Sequence, residues 1–351
     1  MIIMTNKRIK VGINGFGRIG RTIFRQNIIS KHFDVVAIND LNNNIENLAY
    51  QLKYDSTHGP LFSHKITTDK KTINFDENSI KVFHEKHIDA VPWDELDVDI
   101  VIGCTGILDN VNRAPKCLRG SVKKVVFSDS PKDVDYTIVM GINEKNYNPS
   151  EHNIIAASIC DVVGIAPLIK ILDSKYTIKS GFLLTLHPWL VYQNILDGNP
   201  NKDVIEDPKG SPHAIGRGSA MSLIPKNTSL VGALERAFPK IDNKFKAMSY
   251  RVPTDIVGSL NAVISFDNPI IKKDIINYLI SNHNPPYFEY SEEPMVSIDY
   301  KHHYSSCILD GKWIEIINSN TVRFVTWYDN EWGYTARFVE AIQYISSFFN
   351  K

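Results

Sequence analysis

The sequence predicts two domains: an α/β domain built on a parallel sheet, then an α+β domain built on an antiparallel sheet. Three observations predict this. At 351 residues the chain is long for a single core. Its first half alternates short apolar runs with helix-compatible stretches, the pattern of a parallel sheet with crossover helices. Its second half carries long β-rich runs with few helices between them, which suits an antiparallel sheet.

In the first half, a strand over 10–14 runs into Gly15-Phe16-Gly17-Arg18-Ile19-Gly20, and a helix is expected over 21–27. With a strand before it and a helix after it, this GxGxxG is the phosphate-binding turn of a Rossmann domain. Its glycines let the backbone approach a pyrophosphate seated on the helix N-terminus. A second strand, 34–38, leads to Asp40, which lies about 20 residues after Gly20, where such folds place the acid that binds a ribose 2′-hydroxyl. A carboxylate there repels a 2′-phosphate, so NAD is expected rather than NADP. The segments 72–75 and 80–84 read as short antiparallel additions. The run 97–103, nearly all apolar and β-branched, marks a buried parallel strand. It leads into a tight turn at Cys104-Thr105-Gly106, which places Thr105 along the cofactor. Strands are also expected over 123–128 and 136–140.

A further apolar run ends at Cys160, with helix-compatible residues after it. A strand delivering a cysteine to a buried helix N-terminus would favour the thiolate, which is the nucleophile. Cysteine is also among the most buried residue types, so position alone does not make it reactive. Beyond it, strands are expected over 177–186, 245–252, 258–266, 296–300 and 322–328. A helix is expected over 271–280, and a terminal helix over 335–349 keeps Phe338, Ala341, Ile342, Ile345 and Phe349 on one face. The stretch 188–217, rich in Asn, Asp, Pro and Gly, reads as a long functional loop.

Lysine plus arginine equals aspartate plus glutamate, 39 each, so nothing in the net charge points to nucleic acid or a membrane. The lysine pairs at 70–71 and 123–124 read as solvated faces. No apolar run reaches the roughly 18 residues of a membrane span, and the N-terminal apolar stretch is too short for a signal sequence, so the cytoplasm is expected. Cys104, Cys117, Cys160 and Cys307 form no CxxC pair, which argues against a zinc site and against a disulfide framework.

Four segments together resemble the phosphorylating glyceraldehyde-3-phosphate dehydrogenase family: Val11-Gly12-Ile13-Asn14-Gly15-Phe16-Gly17-Arg18-Ile19-Gly20-Arg21, Lys53-Tyr54-Asp55-Ser56-Thr57-His58-Gly59, Arg251-Val252-Pro253-Thr254, and Trp327-Tyr328-Asp329-Asn330-Glu331-Trp332-Gly333-Tyr334. The resemblance implies an NAD-binding Rossmann domain over 1–159, joined by a returning C-terminal helix over 331–351, a catalytic domain over 160–330, and a homotetramer. It implies oxidation of an aldehyde, with a sugar phosphate among the candidate substrates, through a thioester on Cys160. His187 would be the general base and keep the thiolate paired. Asn330 would hold the nicotinamide carboxamide, with Tyr334 beside the cofactor.

Departures from the family pattern cluster at the site. Where the family has Ser-Cys-Thr-Thr-Asn, this chain has Ile159-Cys160-Asp161-Val162-Val163. Isoleucine and aspartate thus stand where hydroxyls bind inorganic phosphate. Thr228 and Arg251 persist in the phosphate subsites, but a threonine of the family is Leu190 here, in the bulky block Pro188-Trp189-Leu190-Val191. These changes point to an altered substrate or acyl acceptor. Asp161 would repel phosphate or activate water, unless it simply caps the helix that begins there. A catalytically inactive NAD-binding paralogue with a regulatory or scaffolding role is the competing expectation.

Overall fold

A computed structural model describes residues 8–199 and 213–349. The chain divides into two compact units. The first comprises residues 1–138, 146–157 and 338–351, and the second 139–145 and 158–337.

The first unit is a nine-stranded sheet with helices in its crossovers. Its elements in order are β1 (Ile9–Asn14), α1 (Arg18–Ser30), β2 (Phe33–Asn39), α2 (Ile45–Lys53), β3 (Ile66–Thr68), β4 (Thr72–Phe75), β5 (Asn78–Phe83), β6 (Ile100–Gly103), α3 (Leu108–Arg113), β7 (Lys124–Phe127), β8 (Tyr136–Thr137) and β9 (Ile154–Ala156). The strand order is β3-β4-β5-β2-β1-β6-β7-β9-β8. From β5 to β8 every pairing is parallel, with the order turning back at β1, as in a doubly wound nucleotide-binding sheet. Strands β6 and β7 are buried along their whole length, and β6 accordingly reads as an unbroken apolar run.

Several expectations change here. Only β3 and β4 are antiparallel additions, because β5 pairs parallel with β2. The strand expected over 136–140 stops at Thr137. Lys124 is not on a solvated face: it is buried, and its Nζ donates to the carbonyls of Pro149 and His152 and to Asn153 Oδ1.

The second unit holds α4 (Cys160–Val163), α5 (Ala166–Lys175), β10 (Ile178–Pro188), β11 (Ile224–Lys226), α6 (Leu230–Ala237), β12 (Phe245–Val252), β13 (Gly258–Phe266), α7 (Lys272–Ser281), β14 (Phe288–Ser291), β15 (Cys307–Asp310), β16 (Glu315–Asn318) and β17 (Thr321–Tyr328). The sheet runs β11-β12-β10-β13-β17-β15-β14, with β16 on β17. It is mostly antiparallel, with parallel pairings at β10–β12 and β14–β15. In β13 and β17 buried and part-exposed residues alternate strictly, so one face packs inward.

The strand expected over 296–300 is instead a 3₁₀ turn, Ser297–Tyr300. Asp299 Oδ2 accepts the Val296 amide, and this local bond replaces a ladder partner. The last helix, α8 (Trp332–Ser346), begins earlier than expected because Asp329 Oδ1 accepts the amides of Glu331 and Trp332. Its residues from Phe338 onward cluster with the first unit. The loop expected over 188–217 is only partly described, since its middle lies outside the described residues.

Candidate active site

In the first unit, the glycine turn between β1 and α1 has the form its residues require. Gly15 has φ +98°, and a Cβ there would lie 2.8 Å from the Cys104 carbonyl carbon. A Cβ on Gly20 would lie 2.1 Å from Gly15 O. Gly17 is the N-cap of α1, and no side chain caps that end. Its Cβ position is open, so the first-turn amides can be approached by a phosphate. Phe16 contributes differently: its ring is buried beside Phe24, and its amide donates to Asp40 Oδ2 at 2.7 Å. Arg18 points to Asp55, at 2.8 Å, and Ile19 is half-buried in the first turn.

Asp40 and Thr105 line one cleft of about 240 Å³ with Gly15, Gly17, Asn39 and Asn110. Asp40 Oδ1 also accepts the Asn42 amide, so its carboxylate is fixed in place. Thr105 Oγ1 accepts from Ile107 N and Asn110 Nδ2. An open helix N-terminus, two close-packed glycines and an oriented acid are what a dinucleotide needs.

Strand β9 of the first unit ends at Ala156, before Cys160 opens α4 in the second. Between them Ser158 adopts φ 62°, and Ile159 is the N-cap of α4. The cysteine therefore opens a single helical turn, not a long helix. Gly164 ends that turn, and Pro167 sits in the first turn of α5, where its missing N–H is no loss. The dipole of one turn gives Cys160 little help. The Tyr334 hydroxyl donates to the Ser158 carbonyl at 3.1 Å and so braces the bend before the cysteine.

Parallel pairing of β10 with β12 sets His187 directly beside Arg251. His187 Nε2 lies 3.5 Å from Cys160 Sγ, and its Nδ1 lies 2.7 Å from the Pro188 carbonyl. A carbonyl only accepts, so Nδ1 carries the proton and Nε2 presents a lone pair to the sulfur. Asp161 is buried, with Oδ1 3.6 Å from Cys160 Sγ and 2.7 Å from the Tyr328 hydroxyl that donates to it. No side chain caps α4, so the capping role expected as an alternative for Asp161 is not the one it plays. The Tyr328 ring is held between two glycines: a Cβ on Gly164 would lie 2.6 Å from it, and one on Gly258 2.4 Å.

The electrostatics favour a neutral pair. Cys160 is only partly exposed, and its crowded sulfur is desolvated. Burial first, then the Asp161 charge, push the thiol pKa well above its ordinary value, with Arg251 opposing. Burial and Arg251 bring His187 down to about 4. Both shifts oppose the thiolate–imidazolium pair expected from helix and histidine.

Arg251 is buried, and its Nε has no hydrogen-bond partner among the described residues. Its Nη2 lies 3.4 Å from the Tyr192 hydroxyl, which also accepts from Lys226 Nζ at 3.2 Å. Burial would raise the Tyr192 pKa, but these two cations bring it below its ordinary value. Tyr192 and Lys226 were not anticipated from sequence. The one signal was a phenol directly after the apolar block 188–191, and its partner lies 34 residues away. Thr228 Oγ1 accepts the Leu230 amide at the start of α6, which packs on α4. Asn330 is buried, and its Oδ1 accepts the amide of Val257, a residue at φ 70°, leaving Nδ2 for other partners.

Residues 9–111 match the profile described as glyceraldehyde 3-phosphate dehydrogenase, NAD binding domain, and residues 159–330 match the C-terminal domain of the same enzyme. The chain belongs to the glyceraldehyde-3-phosphate dehydrogenase family. NAD is its cofactor, and the β1–α1 turn with Asp40 lies in the matched NAD-binding domain. Among similar proteins are glyceraldehyde-3-phosphate dehydrogenase 1 of Bacillus cereus, 34% identical over 96% of this chain and 98% of the relative. The cytosolic enzyme of Chondrus crispus is 36% identical over 96% of this chain and 98% of its own. Cytosolic glyceraldehyde-3-phosphate dehydrogenase 3 of Zea mays is 33% identical over 97% and 99%. Among the described residues no helix is long and apolar enough to cross a membrane.

Proposed function

We propose that this chain oxidises an aldehyde with NAD through a thioester on Cys160, and passes the acyl group to an acceptor other than inorganic phosphate. One observation carries the second half of this reading: the buried Asp161 carboxylate, fixed by Tyr328, beside the nucleophile. A phosphate dianion attacking the thioester would meet that charge at close range, with a repulsion of a few kcal/mol at an effective dielectric of ~20.

Cys160 need not be ionised in advance. Its S–H proton passes to His187 Nε2 as the sulfur bonds to the carbonyl carbon, and then to the carbonyl oxygen, giving a hemithioacetal. Asp161 disfavours the thiolate but favours the imidazolium, so the two effects offset within the pair. Bound NAD supplies the hydride acceptor. His187 takes the hemithioacetal hydroxyl proton as the C–H bond is lost, leaving the thioester. Water is the acceptor that suits these residues: it is deprotonated by Asp161, or by His187 once that proton has gone to solvent, and Cys160 leaves and regains its proton. Arg251 and Lys226, with Tyr192 between them, suit an anionic group on the aldehyde, such as a sugar phosphate. Asn330 and Tyr334 act on the nicotinamide side, the latter through the Ser158 bend. We assign 1–159 with 331–351 to cofactor binding and 160–330 to catalysis, and place the enzyme in the cytoplasm as a homotetramer, in keeping with its cytosolic relatives.

A second reading has support of its own. The raised Cys160 pKa and depressed His187 pKa also suit an NAD-binding protein that has lost turnover. NADH formation over a panel of aldehydes, with and without phosphate, separates the two. The proposal expects turnover indifferent to phosphate, with dependence appearing on Asp161→Thr combined with Ile159→Ser. A rate that rises steeply with phosphate in the unmutated protein overturns it, and NAD binding without any turnover favours the second reading.

A further inference from the structure

Cys160 Sγ, His187 Nε2 and an Asp161 oxygen converge, all three lying within 4.8 Å of one another. A tetrahedral zinc(II) has Zn–S near ~2.3 Å and Zn–N or Zn–O near ~2.0–2.2 Å, so its S···N and S···O edges are about 3.5 Å. The observed edges are 3.5 Å to His187 Nε2 and 3.6 Å to Asp161 Oδ1. The third edge, between His187 and Asp161, is no longer than 4.8 Å, and a small turn of the carboxylate that keeps the Tyr328 hydrogen bond shortens it. Two of the ligands already have outer partners of the kind that orient zinc sites. His187 gives its Nδ1–H to the Pro188 carbonyl, which leaves Nε2 as the ligand atom, and Tyr328 donates to Asp161. One thiolate, one imidazole and one carboxylate match zinc and not the oxygen-seeking magnesium or calcium. Cysteine spacing could not reveal this, because only one cysteine takes part.

We propose that Cys160, Asp161 and His187 form a three-ligand zinc(II) site whose occupation reversibly silences Cys160. As the S–Zn bond forms, the thiol proton leaves to solvent, and no electrons are transferred. The bound sulfur and Nε2 are then withdrawn from attack and proton transfer, while the fourth position stays open to water. The site itself does not rest on the aldehyde chemistry proposed above, because binding is read directly.

The experiment titrates the full-length chain, stripped with EDTA, with zinc(II) against a chromophoric chelator, with magnesium(II) as the control. Cobalt(II) is the optical probe. Expected are one zinc per chain and no response to magnesium. A thiolate-to-cobalt charge-transfer band should appear and be lost in Cys160→Ser. Zinc should also protect Cys160 from iodoacetamide until EDTA is added. Tyr328→Phe should weaken zinc by ~10- to 100-fold, as loss of an outer partner does, and Asp161→Asn by at least as much. Absence of saturable one-to-one binding in the unmutated chain overturns the proposal, whatever the variants do. Binding undiminished in Cys160→Ser and Asp161→Asn places the metal elsewhere and overturns it equally. Should Asp161→Asn not fold, the unmutated chain's cobalt band and its loss in Cys160→Ser still decide the matter.

Discussion

Replacing Asp161 with asparagine removes one charge and almost no volume, and the new side-chain oxygen can still accept from Tyr328. The carboxylate oxygen lies 3.6 Å from Cys160 Sγ. Two unit charges at that separation repel by about 4–5 kcal/mol at an effective dielectric of ~20. At 1.36 kcal/mol per unit, Asp161→Asn should lower the Cys160 pKa by about three units. The rate of alkylation rises less than the thiolate fraction, because a less basic thiolate is a weaker nucleophile, with a Brønsted slope of about 0.4–0.5. The net gain is therefore ~50-fold near neutral pH, reduced toward ~10-fold because the Tyr328 hydroxyl already screens the carboxylate. The assay is iodoacetamide labelling in EDTA, followed by mass spectrometry of the Cys160 peptide. Cys117 and Cys307, both buried and with pKa values near 12, serve as internal references in the same digest. In the unmutated chain Cys160 should label slowly. If the Asp161→Asn protein labels Cys160 no faster, the charge is not what suppresses the thiolate, and the argument against phosphate as acceptor fails with it.

Asp40→Ala should weaken NAD binding by ~10- to 100-fold, the range for losing a charged hydrogen bond, and bring NAD and NADP affinities closer together. Equal affinities before mutation would refute the role of Asp40. Tyr192→Phe removes the oxygen shared by Arg251 and Lys226 and lets a ligand anion take that position. The KM for a phosphorylated aldehyde should fall severalfold with kcat little changed, and an unmoved KM would remove Tyr192 from the substrate site. Asp55 supplies the pH dependence. Burial would raise its pKa, but the His58 amide and the Arg18 charge and hydrogen bond bring it down to about 2 from 3.8. Because the folded value is the lower one, this stabilisation is present above pH ~4 and lost as pH falls toward ~2. Its upper bound is about 2.5 kcal/mol, and solvent at the part-exposed Arg18 reduces it to ~1–2 kcal/mol. Urea midpoints of Asp55→Asn and unmutated protein should accordingly differ at pH 6 and converge as the pH falls through that window; a difference that persists at low pH would contradict it.

The sequence by itself determined whatever depends on neighbours along the chain. The β1–α1 glycine turn is one example, since a positive φ and a backbone contact exclude every larger residue at Gly15 and Gly20. Strands β12, β13 and β17 are others, because period-two alternation is a property of adjacent residues. Where a local bond competed, as Asp299 does at Val296, the same pattern misled. The tertiary structure alone decided the chemistry of the nucleophile. His187 meets Arg251 only through the parallel register of β10 and β12. Tyr328 reaches Asp161 across 167 residues, over two glycines whose purpose is invisible until the ring lies on them. A cysteine at a helix start suggests a thiolate, yet protonation depends on desolvation and on charges carried in by distant strands. Those are sums over neighbours in space, and a sequence lists neighbours only along the chain.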